Sequence, residues 1–189
     1  MNTRLGTVLS TRDLPLAELS SARLDGELFA LGEFWCPIDE IDGASTRAIA
    51  ASMLVPARAI AERMSAAWIY GLVAEPLRHQ FCVDVGARAH IPPSPRLQMR
   101  EVSCAPGETQ RVAGLRVTTP LRTTVDLARW ASNDSPDLVA LLVALLRFGG
   151  FSNAIPASRL CQRQNVPNKN IAIRRLSQAQ VLLESAPDH

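Results

Sequence analysis

Strand-forming and helix-forming segments occupy separate stretches of this chain, and this segregation constrains its fold more than any other feature. Alternating apolar and polar residues predict strands at 80–85 and 97–104, and a further pair within 109–118 that turns at Gly114. Helical periodicity is found before and after this block. Such segregation favours an α+β fold over alternating βαβ units. We therefore predict a small, mostly antiparallel central sheet with flanking helices and a C-terminal helical segment.

Seven helices are predicted around the strands. Ser45 is an N-cap candidate for one of them, and Gly71 is a candidate C-terminal stop for another. The predicted helices cover residues 14–24, 45–56, 57–72, 120–131, 136–148, 154–164 and 168–185.

The first 42 residues are predicted to be organised differently from the rest. Residues 1–14 predict a loose arm, and residues 27–38, which alternate around Gly32, predict a small hairpin after the first helix. We place a boundary after residue 42, so that residues 43–189 form the main domain.

Composition excludes several classes of protein. Hydrophobic residues make up 47% and charged residues 20% of the chain, which is enough apolar material for a sizeable core. The pI of about 8.5 is below the value of about 9 that marks a strongly nucleic-acid-binding domain. The longest apolar run, at 138–146, is far shorter than the roughly 20 residues that cross a bilayer. With no signal-peptide pattern, a cytoplasmic protein that does not enter membranes is expected.

Patterns that indicate catalysis or metal binding are not found in the sequence. The four cysteines are far apart, and the three histidines have no ligand spacing with them, so we predict neither metal nor cofactor. There is no glycine-rich phosphate loop and no Gly-x-Ser-x-Gly elbow. His79 and His90 are interpreted as surface or turn histidines rather than general bases. The chain is therefore predicted to have no catalytic residues and not to be an enzyme.

One predicted helix carries an unusual charge pattern at its start. Thr119 is a plausible N-cap with Pro120 at the first helical position, and Arg122, Asp126 and Arg129 then share one stripe. A cation in the first turn opposes the helix dipole. Two interpretations are open. The stripe is a structural tie, in which Asp126 holds the Arg122 guanidinium against loop carbonyls, or it is a docking surface for a phosphate or an acidic partner.

A second candidate binding site is acidic. Asp39, Glu40 and Asp42 cluster just before the Ser45 helix. They form either a solvated loop that favours the helix N-terminus or an acidic patch for a basic partner surface. The three tryptophans are interpreted as core or edge packing, and any exposed one would be a candidate interface residue: Trp35, Trp68 and Trp130.

Three segments together resemble a known family. They are Met-Ser-Ala-Ala-Trp-Ile-Tyr-Gly at 64–71, Val-Thr-Thr-Pro-Leu-Arg-Thr-Thr-Val-Asp-Leu-Ala-Arg at 117–129, and Val-Pro-Asn-Lys-Asn-Ile-Ala-Ile-Arg-Arg-Leu at 166–176. In these segments the chain resembles the AbiEi family, antitoxins of bacterial type IV toxin–antitoxin systems, over residues 19–176.

The resemblance implies a non-enzymatic cytosolic protein that counters a nucleotidyltransferase-fold toxin. Because such toxins bind RNA phosphates, their clefts are expected to be basic, and an inhibitor could mimic those phosphates. Partner contacts are therefore expected at the acidic cluster or at the Arg122–Asp126–Arg129 stripe.

An alternative function is repression of its own operon through an N-terminal winged helix. Here residues 16–38 are similar only to the end of such a module, one helix and a wing-like hairpin, so the sequence predicts a truncated remnant. Arg4, Arg12 and Arg23 are the candidate contacts to DNA phosphates, or else plain solvated charge. A nuclease remnant is a third possibility, against which the single lysine argues.

Overall fold

The computed structural model describes residues 6–87, 94–132, 137–162 and 167–185. Its helices are α1 (Leu16–Leu24), α2 (Ala44–Ser52), α3 (Arg63–Ile69), α4 (Pro120–Trp130), α5 (Leu138–Phe148), α6 (Ile155–Cys161) and α7 (Lys169–Ser185). Its strands are β1 (Leu28–Leu31), β2 (Phe34–Pro37), β3 (Ile60–Ala61), β4 (His79–Asp84), β5 (Leu97–Val102), β6 (Thr109–Val112) and β7 (Leu115–Thr118). The predicted α+β class is confirmed.

The central sheet has five strands in the order β5-β4-β3-β7-β6. It is mixed rather than mostly antiparallel, because β4–β5 and β3–β7 pair in parallel while β3–β4 and β6–β7 pair antiparallel. The β6–β7 hairpin turns at Ala113 and Gly114, which both have positive φ, as a tight two-residue hairpin requires. The turn predicted at Gly114 is therefore confirmed.

The short strand β3 was not expected. The predicted helix over 57–72 is wrong in its first half, because Ile60 and Ala61 are fully buried between β4 and β7 and form strand pairs there. Arg63, the first residue of α3, then adopts a left-handed backbone with φ 47°. Tertiary pairing therefore overrides the helical periodicity of this segment. The predicted stop is confirmed, since Gly71 follows α3 with φ 81°.

The N-terminal region packs as a helix on a hairpin. The prediction of a loose arm is wrong from residue 8 onward, because Leu9 exchanges two backbone hydrogen bonds with Trp35 and is buried. Leu9, Leu19 and Leu28 form a small core under α1, while other hairpin residues join the main core. The boundary after residue 42 and the winged-helix remnant stay predictions.

The helix α2 begins one residue earlier than its predicted cap. Gly43 is the N-cap, so Ser45 lies inside the helix, and no side chain caps its start. Thr46 instead donates its hydroxyl to the Ile41 carbonyl at 2.7 Å, which fixes the preceding loop against α2.

The C-terminal helices form a packed unit next to the sheet. The helix α3 contacts β4, β7 and α4, and α4 in turn contacts α5, α6 and α7. The centre of this unit is apolar, with Leu142, Leu145 and Leu146 fully buried on α5. None of the described helices is long and apolar enough to cross a bilayer.

The single tyrosine joins α3 to the sheet. Tyr70 donates its hydroxyl to the Thr118 carbonyl at 2.6 Å and accepts from the Gln110 amide at 3.0 Å. Its ring lies 5.0 Å from that of Phe148 between centroids. Burial raises the pKa of Tyr70 to about 12, although the hydrogen bond from Gln110 acts in the opposite direction.

We predict that Tyr70 ionises near pH 12 in the folded protein and near its ordinary value of about 10 in denaturant. Because Tyr70 is the only tyrosine, the ultraviolet absorbance of tyrosinate measures this directly. The raised pKa favours the protonated form in the folded state. The contribution of Tyr70 to the free energy of unfolding should therefore be intact below pH 10 and lost between pH 10 and about 12. The variant Tyr70→Phe should not show this loss. A folded-state midpoint near 10 would contradict the predicted burial.

Candidate functional site

The helix α4 directs a carboxylate into the interior. Thr119 and Pro120 start the helix as predicted, with the Thr119 hydroxyl accepting from the Arg122 amide. Asp126 is 1% exposed, whereas the flanking Arg122 and Arg129 reach the surface at their tips. The three residues predicted to share a stripe do lie together, but the stripe is mostly buried.

Asp126 gathers arginines from two elements. Its Oδ2 accepts from Arg122 Nε at 2.9 Å and lies 3.4 Å from a terminal nitrogen of Arg100. Its Oδ1 has no hydrogen-bond partner among the described residues and lies 3.8 Å from Arg129. The far end of Arg122 binds the carboxylate of Glu108, just before β6.

These contacts explain the cation in the first turn of α4. Two carboxylates, Asp126 and Glu108, offset the unfavourable dipole at the position of Arg122. The structural interpretation is therefore supported for Asp126. It is wrong about the other end of Arg122, which binds a carboxylate rather than loop carbonyls. Arg129 is the residue that donates to a loop carbonyl, that of Pro167, at 3.1 Å.

A second buried carboxylate extends this network to the sheet. Glu62 is fully buried at the end of β3 and accepts two close hydrogen bonds from Arg100, at 2.6 Å on each oxygen. Arg63 lies beside it and donates its Nε at 3.2 Å. Sequence reasoning missed these three residues, because only the pairing of β3, β4 and β5 brings Arg100 next to Glu62.

The charges of the network do not balance. Four arginines, including Arg63, face three carboxylates. Burial lowers the pKa of Arg122 and Arg100, but their carboxylate partners outweigh burial and raise both values above normal. For Arg129, burial prevails over Asp126 and the pKa is lowered. Arg129 is therefore less well compensated than Arg100 and Arg122, and its terminal nitrogens make no hydrogen bond within the described part of the chain.

Arg129 borders an open cleft. The cleft has a volume of about 290 Å³, and its charged lining residues are Arg122, Arg129 and Glu108. Beside it, Trp130 is 40% exposed, with the guanidinium carbons of Arg129 and Arg100 at 5.4 and 5.9 Å from its ring centroid. Trp68 is buried and Trp35 half-buried, so Trp130 is the tryptophan that meets the expectation of an exposed interface residue.

The predicted acidic cluster lies on an ordered, exposed loop, which we call the acidic loop (residues 38–42). Asp39 and Glu40 make no ion pair among the described residues, whereas Asp42 is bound by Arg47 at 2.7 and 3.0 Å. The same loop contains two isoleucines, whose exposure the sequence did not indicate. Ile38 is 65% exposed and Ile41 80% exposed.

The backbone of the acidic loop is fixed at both ends. The Ile38 amide donates to the Glu27 carbonyl at 2.9 Å, and the Glu40 amide donates to that of Pro37 at 3.0 Å. The Ile41 carbonyl accepts from the Gly43 amide at 2.8 Å. The loop therefore presents apolar and acidic side chains from a preorganised backbone, which lowers the entropy cost of binding a partner.

The candidate DNA contacts lie in an acidic environment. Arg12 and Arg23 are exposed, and Arg4 lies outside the described residues. Residues 1–46 contain three arginines and eight acidic residues, a net charge of −5. Such a surface repels phosphates, so electrostatics give no support to DNA binding at this end of the chain.

His79 is not the surface residue that was expected. It is 2% exposed, its Nδ1 lies 3.3 Å from Ser65 Oγ, and its Nε2 lies 3.0 Å from Glu75. These are the residue types of a hydrolytic triad. However, Ser65 is fully buried and also accepts the Gln80 amide at 2.7 Å. The adjoining cavity, about 10 Å³, has room for about one water. The arrangement therefore ties α3 to β4, and His90 lies outside the described residues.

Within the described ranges, no three His, Cys, Asp or Glu side chains form a group that could hold a metal ion. The four cysteines are free thiols. Cys36, Cys82 and Cys161 are buried, and Cys104 is half-buried.

We predict that Asp126→Asn destabilises the protein by about 3 kcal/mol, because it leaves buried arginines without their counter-charge. The matched control is Asp42→Asn, which removes an exposed ion pair and should cost less than about 1 kcal/mol. Urea denaturation measures both free energies of unfolding. An equal loss of unfolding free energy in the two variants would contradict the structural role of Asp126.

No protein-family model and no curated protein matches this chain. Among solved structures, the RV2827C protein from Mycobacterium tuberculosis is similar with a TM-score of 0.46 and 16% identity, over 97% of this chain and 78% of that chain. At this level the similarity carries no argument about family or function. The resemblance to the AbiEi antitoxins stays a prediction.

Proposed function

We propose that this protein is a non-enzymatic, cytoplasmic antitoxin of the AbiEi type that neutralises a nucleotidyltransferase-fold toxin by binding it directly. The observation that carries the proposal is the acidic loop, an exposed and ordered segment that contains three carboxylates and two isoleucines. A basic cleft that binds RNA phosphates would be complementary to it.

The placement of the family-like segments supports the proposal. The described residues of the segments 64–71, 117–129 and 166–176 lie mainly on α3, on β7 and α4, and on α7, and α4 packs against both α3 and α7. Arg175 of the third segment donates to the carbonyls of Ala128 and Ala131 at the end of α4. The three segments therefore build one structural unit, as expected if they are a joint family signature.

The composition of the acidic loop suits a protein interface. Exposed isoleucines on an ordered loop lose their contact with water when a partner covers them. Full burial of each one contributes about 1.5–3 kcal/mol to the free energy of binding. Among the residues that the structure describes, Asp39 and Glu40 have no ion pair to break before they bind. The negative charge of residues 1–46 would accelerate encounter with a basic partner.

The Arg122–Asp126–Arg129 stripe fits a toxin interface less well. Asp126 is inaccessible, and Arg122 is occupied by two carboxylates. A partner could reach Arg122 and Arg129 only at the cleft. We therefore assign the primary toxin contact to the acidic loop. Binding of operator DNA as an autorepressor stays a prediction, with Arg12 and Arg23 in a net acidic region.

Co-expression with the adjacent gene tests the proposal. We expect the neighbouring gene to encode a nucleotidyltransferase that arrests growth, and we expect this chain to restore growth and to co-purify with the toxin. Rescue of growth without any complex would contradict direct binding. Turnover of a nucleotide or nucleic acid by the purified chain alone would contradict the non-enzymatic assignment.

We predict that Asp39→Lys combined with Glu40→Lys weakens the complex at least about tenfold, mostly by slowing association. The matched control is Asp25→Lys combined with Glu27→Lys, which makes the same change in charge at exposed positions outside the loop. Surface plasmon resonance against the purified toxin gives both rate constants. If the two double variants bind alike, the acidic loop is not the contact.

A further inference from the structure

The C-terminal helices carry a strong local positive charge. Between residues 138 and 183 the chain contains five arginines, one lysine and no acidic residue, a net charge of +6 in a protein whose total is +2. Charge is therefore segregated along the chain, with the acidic N-terminal region opposed to this basic segment.

Some of these cations surround the end of α4. Arg129 donates to the Pro167 carbonyl just before α7, and Lys169 at the start of α7 donates to the Gln162 carbonyl after α6 at 3.4 Å. Arg175 donates to the carbonyls of Ala128 and Ala131. These contacts bring the ends of α4 and α6 and the start of α7 together.

Further cations extend from this meeting point. Arg159 lies in the last turn of α6 and is exposed, and Arg174 is exposed on α7. A ligand at the end of α4 would therefore meet a positive surface that continues onto both helices.

An exposed aromatic ring lies at the same place. Trp130, the last residue of α4, is 40% exposed, and the guanidinium carbons of Arg129 and Arg100 lie over its ring at 5.4 and 5.9 Å from the centroid. An aromatic ring beside a track of cations is the combination with which proteins bind single-stranded nucleic acids, because any unpaired base can stack on the ring. In a duplex the bases are stacked on one another and are not available to the indole.

The adjoining cleft supplies a place for a phosphate. It is about 290 Å³ in volume, and its charged lining residues are Arg129, Arg122 and Glu108, of which Arg122 and Glu108 are bound to each other. Arg129 is suited to bind an anion, since its charge is incompletely offset by Asp126 and its terminal nitrogens have no hydrogen-bond partner among the described residues.

We propose that the surface where α4, α6 and α7 meet binds a single-stranded polynucleotide, with one base stacked on Trp130 and an adjacent phosphate on Arg129. The cations of α6 and α7 then continue the contact along the strand. This site is distinct from the acidic loop and from the N-terminal arginines. It does not depend on the proposed antitoxin function.

Fluorescence anisotropy with labelled 15-nucleotide homopolymers tests the proposal. We expect the full chain, without toxin, to bind single-stranded DNA or RNA more tightly than a duplex of equal length. Affinity should fall as the salt concentration rises. A plot of log K against log salt concentration should have a slope of about −0.7 for each phosphate contacted. Parallel DNA and RNA arms identify the preferred strand, and a preference for either one supports the proposal. Tighter binding to the duplex, or no binding at low salt, would overturn it.

Substitution of the ring separates stacking from charge. Trp130→Ala should weaken binding about tenfold, whereas Trp130→Phe should retain most of it. If both variants bind like the wild type, no base stacks on this ring. Polyglutamate is the competitor that tests an acidic polypeptide as the true ligand. If it binds with the same dependence on Trp130, the assignment to a polynucleotide is overturned.

A matched pair of double variants separates local from total charge. Arg159→Glu combined with Arg174→Glu should weaken binding at least about tenfold more than Arg23→Glu combined with Arg58→Glu. All four residues are exposed, and both double variants change the net charge equally. Equal weakening by the two would show that binding follows total charge alone and would contradict the site.

Discussion

The structure depends on two buried carboxylates that hold arginines from separate elements. Glu62 at the end of β3 and Asp126 on α4 are both reached by Arg100 of β5. Arg122 continues the network from Asp126 to Glu108 before β6. Removing one partner from such a network leaves an uncompensated buried charge, which is among the most destabilising changes a fold can undergo. The network therefore fixes the sheet and the C-terminal helices in one arrangement.

The fixed interior leaves two surfaces of opposite character. The acidic loop presents carboxylates and isoleucines at the start of α2, within a region of net negative charge. The end of α4 presents Trp130 and Arg129 beside helices that carry no acidic residue between 138 and 183. These two surfaces carry the two proposals, a basic protein at the acidic loop and a single-stranded polynucleotide at the end of α4.

Local signals predicted much of this fold, and non-local contacts account for what was missed. Thr119 and Pro120 mark the start of α4, and Gly114 marks the turn of the hairpin. Both features could therefore be predicted from the sequence. β3 could not, because a two-residue strand exists only through its pairing with β4 and β7. For the same reason the contact between Glu62 and Arg100 has no sequence signature. The acidic cluster was found by composition, while the exposure of its isoleucines required the structure.

The central claim is that this protein neutralises its partner by direct contact through the acidic loop. Hydrogen–deuterium exchange of the chain, with and without the toxin encoded by the neighbouring gene, tests this claim most directly. The account predicts slower exchange of backbone amides within residues 38–43, with exchange at the end of α4 unchanged. Slower exchange elsewhere and none in the loop, in a pair that still restores growth, would contradict it.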